Sequence, residues 1–427
     1  MNLTRRVFWN STAQLGGKLV VLASMVLSVR LTTGYLGPSG FGEYAIVLAL
    51  APVLFIVAEL GLSSLFAREL ARRPDSRDEL AGTMLVFRLV GSAAVVGVAL
   101  ATVPFLPYDR DVRIGTAIAG LGVLLLSLSS FVVAFFQVEL RLELVALMDV
   151  VTAVVTGALV VAVTQLDLGF FALVGVAPAA AVVNLVLGFA LVGRFWRPRL
   201  RWSRTLIRPL LGAAVPIALV TTMSMLHFKI DAVLLSLLKP AQDVGVYNVA
   251  FRFFEYSLVL PGIFMAAVFP ILTRALVTSR EEARAVIEKA LDAVLLVALP
   301  LALVLVVFAP LLVEIVAPNG FDAAVTPIRL LALGLVFAFA NAVFAGAALA
   351  LDRQRALVGV AGAGLALNVV LNLLLIPRYS YSGAAAATVV TEILGCAAVF
   401  ALVRSACPFS LRPRFVTRAD LRLVFGR

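Results

Sequence analysis

Histidine and cysteine are almost absent from this chain of 427 residues. His227 is the single histidine, and the only cysteines are Cys396 and Cys407. Neither a Cys-x-x-Cys zinc pair nor a framework of disulfides can be built from so few ligands. Charged residues are also scarce, at 14% of the chain, where a soluble domain has about a quarter. These scarcities argue against a metalloenzyme, a disulfide-rich secreted domain and a soluble globular protein.

Apolar residues make up 62% of the chain, and the mean hydropathy is +1.08. They fall into blocks of about 20 residues, the length that crosses a bilayer core as a helix. Runs such as 294–307 do not alternate between apolar and polar residues, so the pattern does not fit a transmembrane barrel. The sequence therefore predicts an all-α integral membrane protein of about twelve helices, at 13–35, 43–63, 82–103, 114–137, 144–165, 170–192, 210–236, 246–270, 290–316, 327–350, 356–376 and 384–404.

Lysine and arginine are distributed unequally between the two sets of loops. With a cytoplasmic N-terminus, the inner segments hold 25 of them and the outer loops hold 4. Positive residues are retained on the cytoplasmic side during insertion, so we expect a multi-pass protein of the cell membrane with both termini in the cytoplasm. The net charge of +11 is then explained by topology, and no nucleic-acid partner is expected.

An internal repeat divides the chain. Residues 36–45 (LGPSGFGEYA) and 238–247 (LKPAQDVGVY) both contain a proline followed by a Gly-x-Tyr motif, at offsets of 202 and 203 residues. Six spans in each half give both halves the same orientation, with a substrate site expected at their interface. The predicted domains are an N-terminal six-helix bundle (1–203), a C-terminal six-helix bundle (204–404) and a basic cytoplasmic tail (405–427).

Charged residues inside the predicted spans are candidates for function, because such residues normally face a protein interior or a wet cavity. Cations suit an anionic substrate such as a phosphate, and embedded acids suit a proton or sodium site. Packing ion pairs, interfacial anchoring and interhelical hydrogen bonding are the structural alternatives for the same residues. The candidates for substrate binding are Arg30, Lys229, Arg252, Arg88 and Asn248, and those for ion coupling are Asp231 and Glu255. Span 5 adds Asp149, and spans 11 and 12 add Asn368, Asn372 and Glu392.

Three segments carry a family resemblance that extends over essentially the whole chain. Residues 30–44, ending in the first Gly-x-Tyr motif, resemble the N-terminal signature of polysaccharide-type flippases of the multidrug/oligosaccharidyl-lipid/polysaccharide exporter superfamily. Residues 229–231 with 244–250 resemble the passage from span 7 to span 8 in that family. The third segment lies in spans 11 to 12 and resembles the same family at Asn368, Asn372, residues 376–377 and residues 383–385.

This resemblance implies two six-helix bundles in a V around a central cationic cavity. It also implies export of an oligosaccharide on polyprenyl pyrophosphate from the inner to the outer leaflet by alternating access, with Arg30, Lys229, Arg252 and Arg88 as cavity cations. Asp231 matches the acid of span 7. Flippases of peptidoglycan precursors usually have fourteen spans, which disfavours that substrate here.

No cofactor is expected beyond H⁺ or Na⁺ as a coupling ion. The expected partners are membrane lipids, the lipid-linked oligosaccharide and the glycan polymerase or glycosyltransferases of the same pathway. The alternatives are a cation-coupled multidrug antiporter, whose cavity should be acidic and aromatic, a membrane glycan polymerase or ligase, and an uncoupled channel-like protein. An enzyme of the second kind needs a large outer loop, and the longest one predicted here has about ten residues.

Overall fold

The computed structural model describes residues 3–59, 63, 66–67, 69–70, 77–139, 141–193, 203, 223 and 226–407. Within these residues the chain forms α-helices, short 3₁₀ turns and no β-strands. Two compact units are present. Unit 1 consists of 1–229, 240–245 and 316–319, and unit 2 consists of 230–239, 246–315 and 320–427. The predicted boundary at 203/204 lies beside residues outside the described ones, as do 408–427 of the predicted tail, and both stay predictions.

Long helices build both units. Unit 1 contains α1 (Leu3–Glu59), α2 (Arg77–Thr102), α3 (Arg110–Val138), α4 (Leu142–Gln165) and α5 (Gly169–Val192). The helices that follow are α6 (Ile230–Leu238), α7 (Ala241–Ser257), α8 (Val259–Thr278), α9 (Arg280–Val307), α10 (Ala309–Val316), α11 (Val325–Ala350) and α12 (Gln354–Ala406). These lie in unit 2 apart from the first residues of α7 and the last residue of α10.

The apolar blocks agree closely with the helices. Nine helical segments of the described residues are long and apolar enough to cross a membrane. Two of them, in α1 and α12, each hold a pair of predicted spans joined across a kink. Most of predicted span 7 lies outside the described residues. The all-α membrane class is therefore confirmed, and the links between spans 1 and 2 and between spans 11 and 12 are shorter than the sequence suggested.

Gly37 breaks α1 at the predicted proline turn. Its backbone has φ 65° and ψ −179°, a combination that glycine adopts readily and that side-chain-bearing residues avoid. The next residue, Pro38, disfavours a helical conformation at the position before it. The Gly-Pro pair therefore ends the first membrane helix and allows the second to begin at once.

The two repeated motifs touch each other inside unit 1. A Cβ placed on Gly245 would lie 3.1 Å from the amide nitrogen of Gly42 and 3.1 Å from the carbonyl oxygen of Pro38. A Cβ on Gly42 would lie 1.9 Å from the carbonyl oxygen of Ala241. Both glycines of the repeat are thus required by backbone-to-backbone contact, the kind of close packing that small residues allow between membrane helices.

A cluster of buried apolar side chains forms part of the core of unit 1. Phe66 and Phe131 stack with ring centroids 4.7 Å apart, and Phe135, Phe136 and Met148 are buried in the same cluster.

In unit 2, α9 begins where Ser279 caps the helix. The Ser279 hydroxyl oxygen accepts a hydrogen bond from the backbone amide of Glu282 at 3.1 Å. Such a cap satisfies one of the backbone donors that a helix leaves free at its first turn.

Candidate functional site

A buried arginine cluster lies in unit 1, where α1, α2 and α3 meet. Arg88 is 0% exposed and forms a two-pronged ion pair with Glu59. Its Nη1 donates to Glu59 Oε2 at 2.8 Å and its Nη2 donates to Glu59 Oε1 at 2.9 Å. Nη1 also donates to the carbonyl oxygen of Ser127 at 2.8 Å, and Nη2 donates to the hydroxyl of Ser63 at 2.8 Å. Ser130 completes the cluster by donating to Glu59 Oε2 at 2.8 Å.

This cluster neutralises its own charge. Fork-to-fork geometry between guanidinium and carboxylate gives strong hydrogen bonds, and the serines supply partners to the remaining lone pairs. Nε of Arg88 is the exception, a buried donor without a hydrogen-bond partner. Arg88 was predicted to bind substrate. In this conformation its guanidinium is sealed and engaged by the protein, so that role stays a prediction and the geometry shows a contact that joins three helices.

A buried aspartate cluster lies in unit 2. The carboxylate of Asp231, on α6, is in a residue only 1% exposed. It accepts hydrogen bonds from the Tyr247 hydroxyl of α7 at 3.0 Å and from Asn372 Nδ2 of α12 at 2.7 Å. The hydroxyl of Thr388, beyond the kink of α12, is a third donor to it. Asp231 therefore ties together segments from predicted spans 7, 8, 11 and 12.

Two amide groups beside Asp231 are incompletely satisfied. Asn372 Nδ2 also donates to Asn368 Oδ1 at 3.0 Å. Asn372 Oδ1 and Asn368 Nδ2 are nevertheless buried without a hydrogen-bond partner. Buried polar atoms rarely remain unpaired, and each such atom calls for an explanation. An amide oxygen without a donor, next to a carboxylate and two hydroxyl groups, forms a set of oxygen atoms suited to a hard cation or a proton.

The remaining predicted residues are distributed over both units. Arg30 lies in α1 and is exposed, and Lys229 comes directly before α6 and is partly exposed. Arg252 pairs with Glu255 across one helical turn at 3.5 Å, with side chains 22% and 31% exposed. Asn248, one turn earlier on α7, has a buried Oδ1 without a hydrogen-bond partner. Their roles in binding substrate or in ion coupling stay predictions.

Arg252 is held by two contacts on its own helix. In addition to Glu255, its guanidinium lies over the ring of Tyr256, 5.9 Å from the centroid, a distance at which a cation and an aromatic ring attract. The two side chains form the ion pair foreseen as the structural alternative, and they are not fully covered by the protein.

Unit 1 also contains an apolar cavity of about 400 Å³. Its walls come from α1, α2, α3 and the short 3₁₀ turn that follows α2, and the polar residues among those that line it are Thr102 and Thr116. A phosphate or sugar finds no charged partner there, so this cavity is not the polar site. Nor do the described residues include a group of three or more His, Cys, Asp and Glu placed to hold a metal ion.

Sequence reasoning missed several members of both clusters. Glu59 lies inside predicted span 43–63 and was not singled out, and Tyr247 was noticed as a repeat marker and not as a partner of Asp231. Thr388 was not singled out. The available signal for Glu59 was that an acid and an arginine, Arg88, occur near the inner ends of two consecutive spans, which places them at the same depth.

Two family profiles match this chain. The profile described as polysaccharide biosynthesis protein matches residues 3–276, and the MatE profile matches residues 216–374. No curated protein matches the chain.

Solved structures share the fold. A lipid II flippase, MurJ, in an inward closed conformation has a TM-score of 0.80 at 13% identity, covering 98% of this chain and 92% of that one. An inward-facing multidrug resistance MATE transporter has a TM-score of 0.70 at 15% identity, covering 91% and 98%. A superfamily transporter from Pyrococcus furiosus has a TM-score of 0.65 at 15% identity, covering 92% and 94%.

These structures are transporters of one superfamily and not enzymes, in agreement with the prediction from sequence. At such identities they show the fold, while the sequence profile shows the family, since it covers more than half of the chain. The chain belongs to the polysaccharide biosynthesis protein family and has the fold of the MOP superfamily of membrane transporters.

Proposed function

We propose that this chain is a flippase that carries an oligosaccharide linked to polyprenyl pyrophosphate from the inner to the outer leaflet. The observation that carries the proposal is the family match, because residues 3–276 contain every predicted substrate cation. Arg30, Lys229 and Arg252 are each at least partly accessible in the described structure. Arginine and lysine at membrane depth give an anionic pyrophosphate the partners that hydrocarbon does not supply.

Alternating access supplies the mechanism of this proposal. The sugar head group enters a polar site opened to the cytoplasm, while the polyprenyl chain stays in the bilayer. The protein then closes inside and opens outside. A ligand shifts such an equilibrium only by as much as it binds one state better than the other, so an energy source must favour the return step.

The aspartate cluster is our proposed coupling site. Protonation of Asp231 would remove a charge that three donors now satisfy, and Na⁺ would recruit the unpaired Asn372 oxygen. Either event changes the hydrogen bonds among four predicted spans. Glu255, the other acid predicted for coupling, is paired with Arg252. We assign it the secondary role of modulating how strongly Arg252 binds the anionic substrate.

The alternative is a cation-coupled multidrug antiporter, which the MatE profile and the MATE structures favour by similarity. An antiporter for organic cations requires acids that face its cavity. The acid that is best placed for such a role, Asp231, is 1% exposed and accepts hydrogen bonds from three donors of its own unit. This burial suits a small coupling ion better than a large organic cation.

The substrate is tested by measuring translocation of a fluorescent polyprenyl-pyrophosphate oligosaccharide in proteoliposomes. Replacing Arg30, Lys229 or Arg252 by glutamine is expected to lower transport by about tenfold or more, since a hydrogen bond to a charged group contributes roughly 1.5–3 kcal/mol. Arg329→Gln is the control, an exposed cation that donates to the carbonyl oxygen of Val306 at 3.1 Å. Equal transport by all well-folded variants contradicts the assignment.

Coupling is tested in the same vesicles by imposing a proton or a sodium gradient. Asp231→Asn is expected to abolish stimulation by the gradient while leaving slow equilibration of the lipid across the bilayer. Asp322→Asn, an exposed acid of unit 2, should retain full stimulation. Stimulation that survives in Asp231→Asn refutes the coupling role.

Membership in a membrane transporter family and the apolar helices establish a multi-pass membrane protein. We further propose that it resides in the cell membrane with both termini in the cytoplasm, on the strength of the loop charges. Its partners in this proposal are the glycosyltransferases that build the lipid-linked oligosaccharide and the polymerase that consumes it.

A further inference from the structure

Two opposite charges outside the predicted site lie in unit 1. Lys18 is on α1 and Asp149 is on α4, and both residues are exposed. Their chain neighbours, Gly17 and Val150, are in contact, which brings the two charges within range of mutual attraction. The transport mechanism proposed above uses neither of them.

Direct contact between α1 and α4 fixes this arrangement. A Cβ on Gly17 would lie 3.0 Å from Cγ2 of Val150, so the Val150 side chain packs against the backbone of α1 beside the charged residues. Two turns further along α1, the hydroxyl of Ser24 donates to the carbonyl oxygen of Ala153 at 2.5 Å. Lys18 and Asp149 therefore extend from neighbouring positions on two firmly packed helices.

Asp149 must face water. It lies roughly 10 Å along α4 from its first residue, at 1.5 Å per residue. An acid facing lipid at such depth costs up to about 2.5–3.5 kcal/mol. Lysine can reach the interface with its long stem, whereas the aspartate side chain is too short. The side of α4 that carries Asp149 is thus a wet face.

Polar side chains continue along the same helix. Thr152, one turn after Asp149, accepts a hydrogen bond from Asn184 Nδ2 of α5 at 2.6 Å and donates to the carbonyl oxygen of Met148 at 2.7 Å. The face therefore combines a cation, an anion and neutral hydrogen-bonding groups. A site for an anionic ligand needs the cation, and the nearby carboxylate opposes that ligand.

We propose that Asp149 is an internal counter-ion that competes with the phosphate groups of the transported lipid for Lys18. In the empty protein Asp149 attracts the lysine ammonium, and an arriving pyrophosphate displaces it. The carboxylate weakens binding in this way and favours release of the head group. This inference rests on the proposed flippase function.

The test compares the dissociation constants of micellar polyprenyl pyrophosphate for purified wild type, Asp149→Asn and Lys18→Gln, with thermal unfolding as a check on folding. Asp149→Asn should tighten binding about two- to fivefold, the size expected when a charge–charge attraction at an exposed site is lost, and the gain should shrink at high salt. Lys18→Gln should weaken binding, and in its background Asp149→Asn should have a smaller effect. Glu143→Gln, an exposed acid in the first turn of α4, is the matched control.

Unchanged or weaker binding by Asp149→Asn overturns the proposal, and so does an equal gain in Glu143→Gln, which indicates a general charge effect. Soluble inorganic pyrophosphate is the second ligand. A gain for both ligands supports recognition of the phosphate group itself, and a gain confined to the free anion contradicts a role in lipid transport. If wild type translocates the lipid but Asp149→Asn binds it no more tightly than wild type does, this inference alone is refuted. Wild type that neither binds nor translocates the lipid refutes the flippase function as well.

Discussion

The arginine cluster allows a structural role for Arg88 to be separated from a role in binding substrate. Replacing Arg88 alone by methionine leaves the Glu59 carboxylate in the interior with only serine donors. Breaking a buried pair by removing one partner costs about 3–5 kcal/mol. For a unit of this size, each kcal/mol lowers the unfolding temperature by roughly 2–4 °C, so we expect Arg88→Met to lower it by about 10 °C.

Replacing both partners should reverse most of that loss. A buried ion pair exchanged for apolar residues of similar volume is often neutral or stabilising, so Arg88→Met with Glu59→Leu should approach the stability of wild type. The exposed pair Arg284–Glu288, with N and O atoms 2.9 Å apart and the arginine 44% exposed, is the control. Its disruption should cost less than about 1 kcal/mol.

Thermal unfolding in detergent micelles and lipid translocation in vesicles are the two assays. If the cluster is structural, the double variant recovers both stability and transport. A double variant that unfolds as early as Arg88→Met refutes the energetic reasoning. A double variant that is stable but inactive shows instead that Arg88 contacts the substrate in another conformation, as the sequence predicted.

Two further predictions concern close packing and a buried thiol. Gly42→Ala should destabilise the protein by about 1–3 kcal/mol through overpacking, because the new Cβ would meet the Ala241 carbonyl oxygen. Gly34→Ala on the same helix has no heavy atom within 4 Å of the new Cβ and should leave the unfolding temperature unchanged or higher. An equal loss in both variants contradicts the packing argument. Burial raises the pKa of the Cys407 thiol, so in a Cys396→Ala background its alkylation at pH 7 should be slower than that of a free cysteine. The rate should keep rising above pH 9, and any stability that the neutral thiol contributes should be lost as pH rises through the raised pKa. Rapid labelling at pH 7 that levels off below pH 9 contradicts this environment.

Helix positions follow largely from the sequence. The predicted spans 144–165 and 170–192 correspond to α4 (Leu142–Gln165) and α5 (Gly169–Val192). Bilayer thickness sets the length of an apolar segment, and a polar turn ends it, so both limits are local properties of the chain. The Gly37-Pro38 break was likewise visible as a turn, although the sequence did not show that helix resumes at once.

The pairing of polar side chains was much less predictable. Helical spacing identifies neighbours within one helix, and it correctly suggested that Arg252 and Glu255 interact. It carries no information about which helices meet. The bond between Asn372 and Asp231 joins residues 141 positions apart, and the Glu59–Arg88 pair depends on how α1 packs against α2. These contacts are set by tertiary packing, which a single sequence does not reveal.

The repeat is an intermediate case. Matching Gly-x-Tyr motifs indicated two related halves, and the structure shows why the glycines are needed, since Gly42 and Gly245 meet backbone to backbone. The tyrosines differ in role, because Tyr247 donates to Asp231 while Tyr44 packs against an apolar cluster of unit 1. Equivalent positions in a repeat have therefore acquired different chemistry.

The most direct test of the flippase proposal is translocation by the wild-type protein in liposomes that contain polyprenyl-pyrophosphate oligosaccharide in one leaflet. We predict that the labelled head group appears in the opposite leaflet faster than in protein-free liposomes, and that a fluorescent organic cation enclosed in the same vesicles is not expelled. Gradient-driven efflux of the organic cation without movement of the lipid-linked sugar would contradict the account and favour the antiporter.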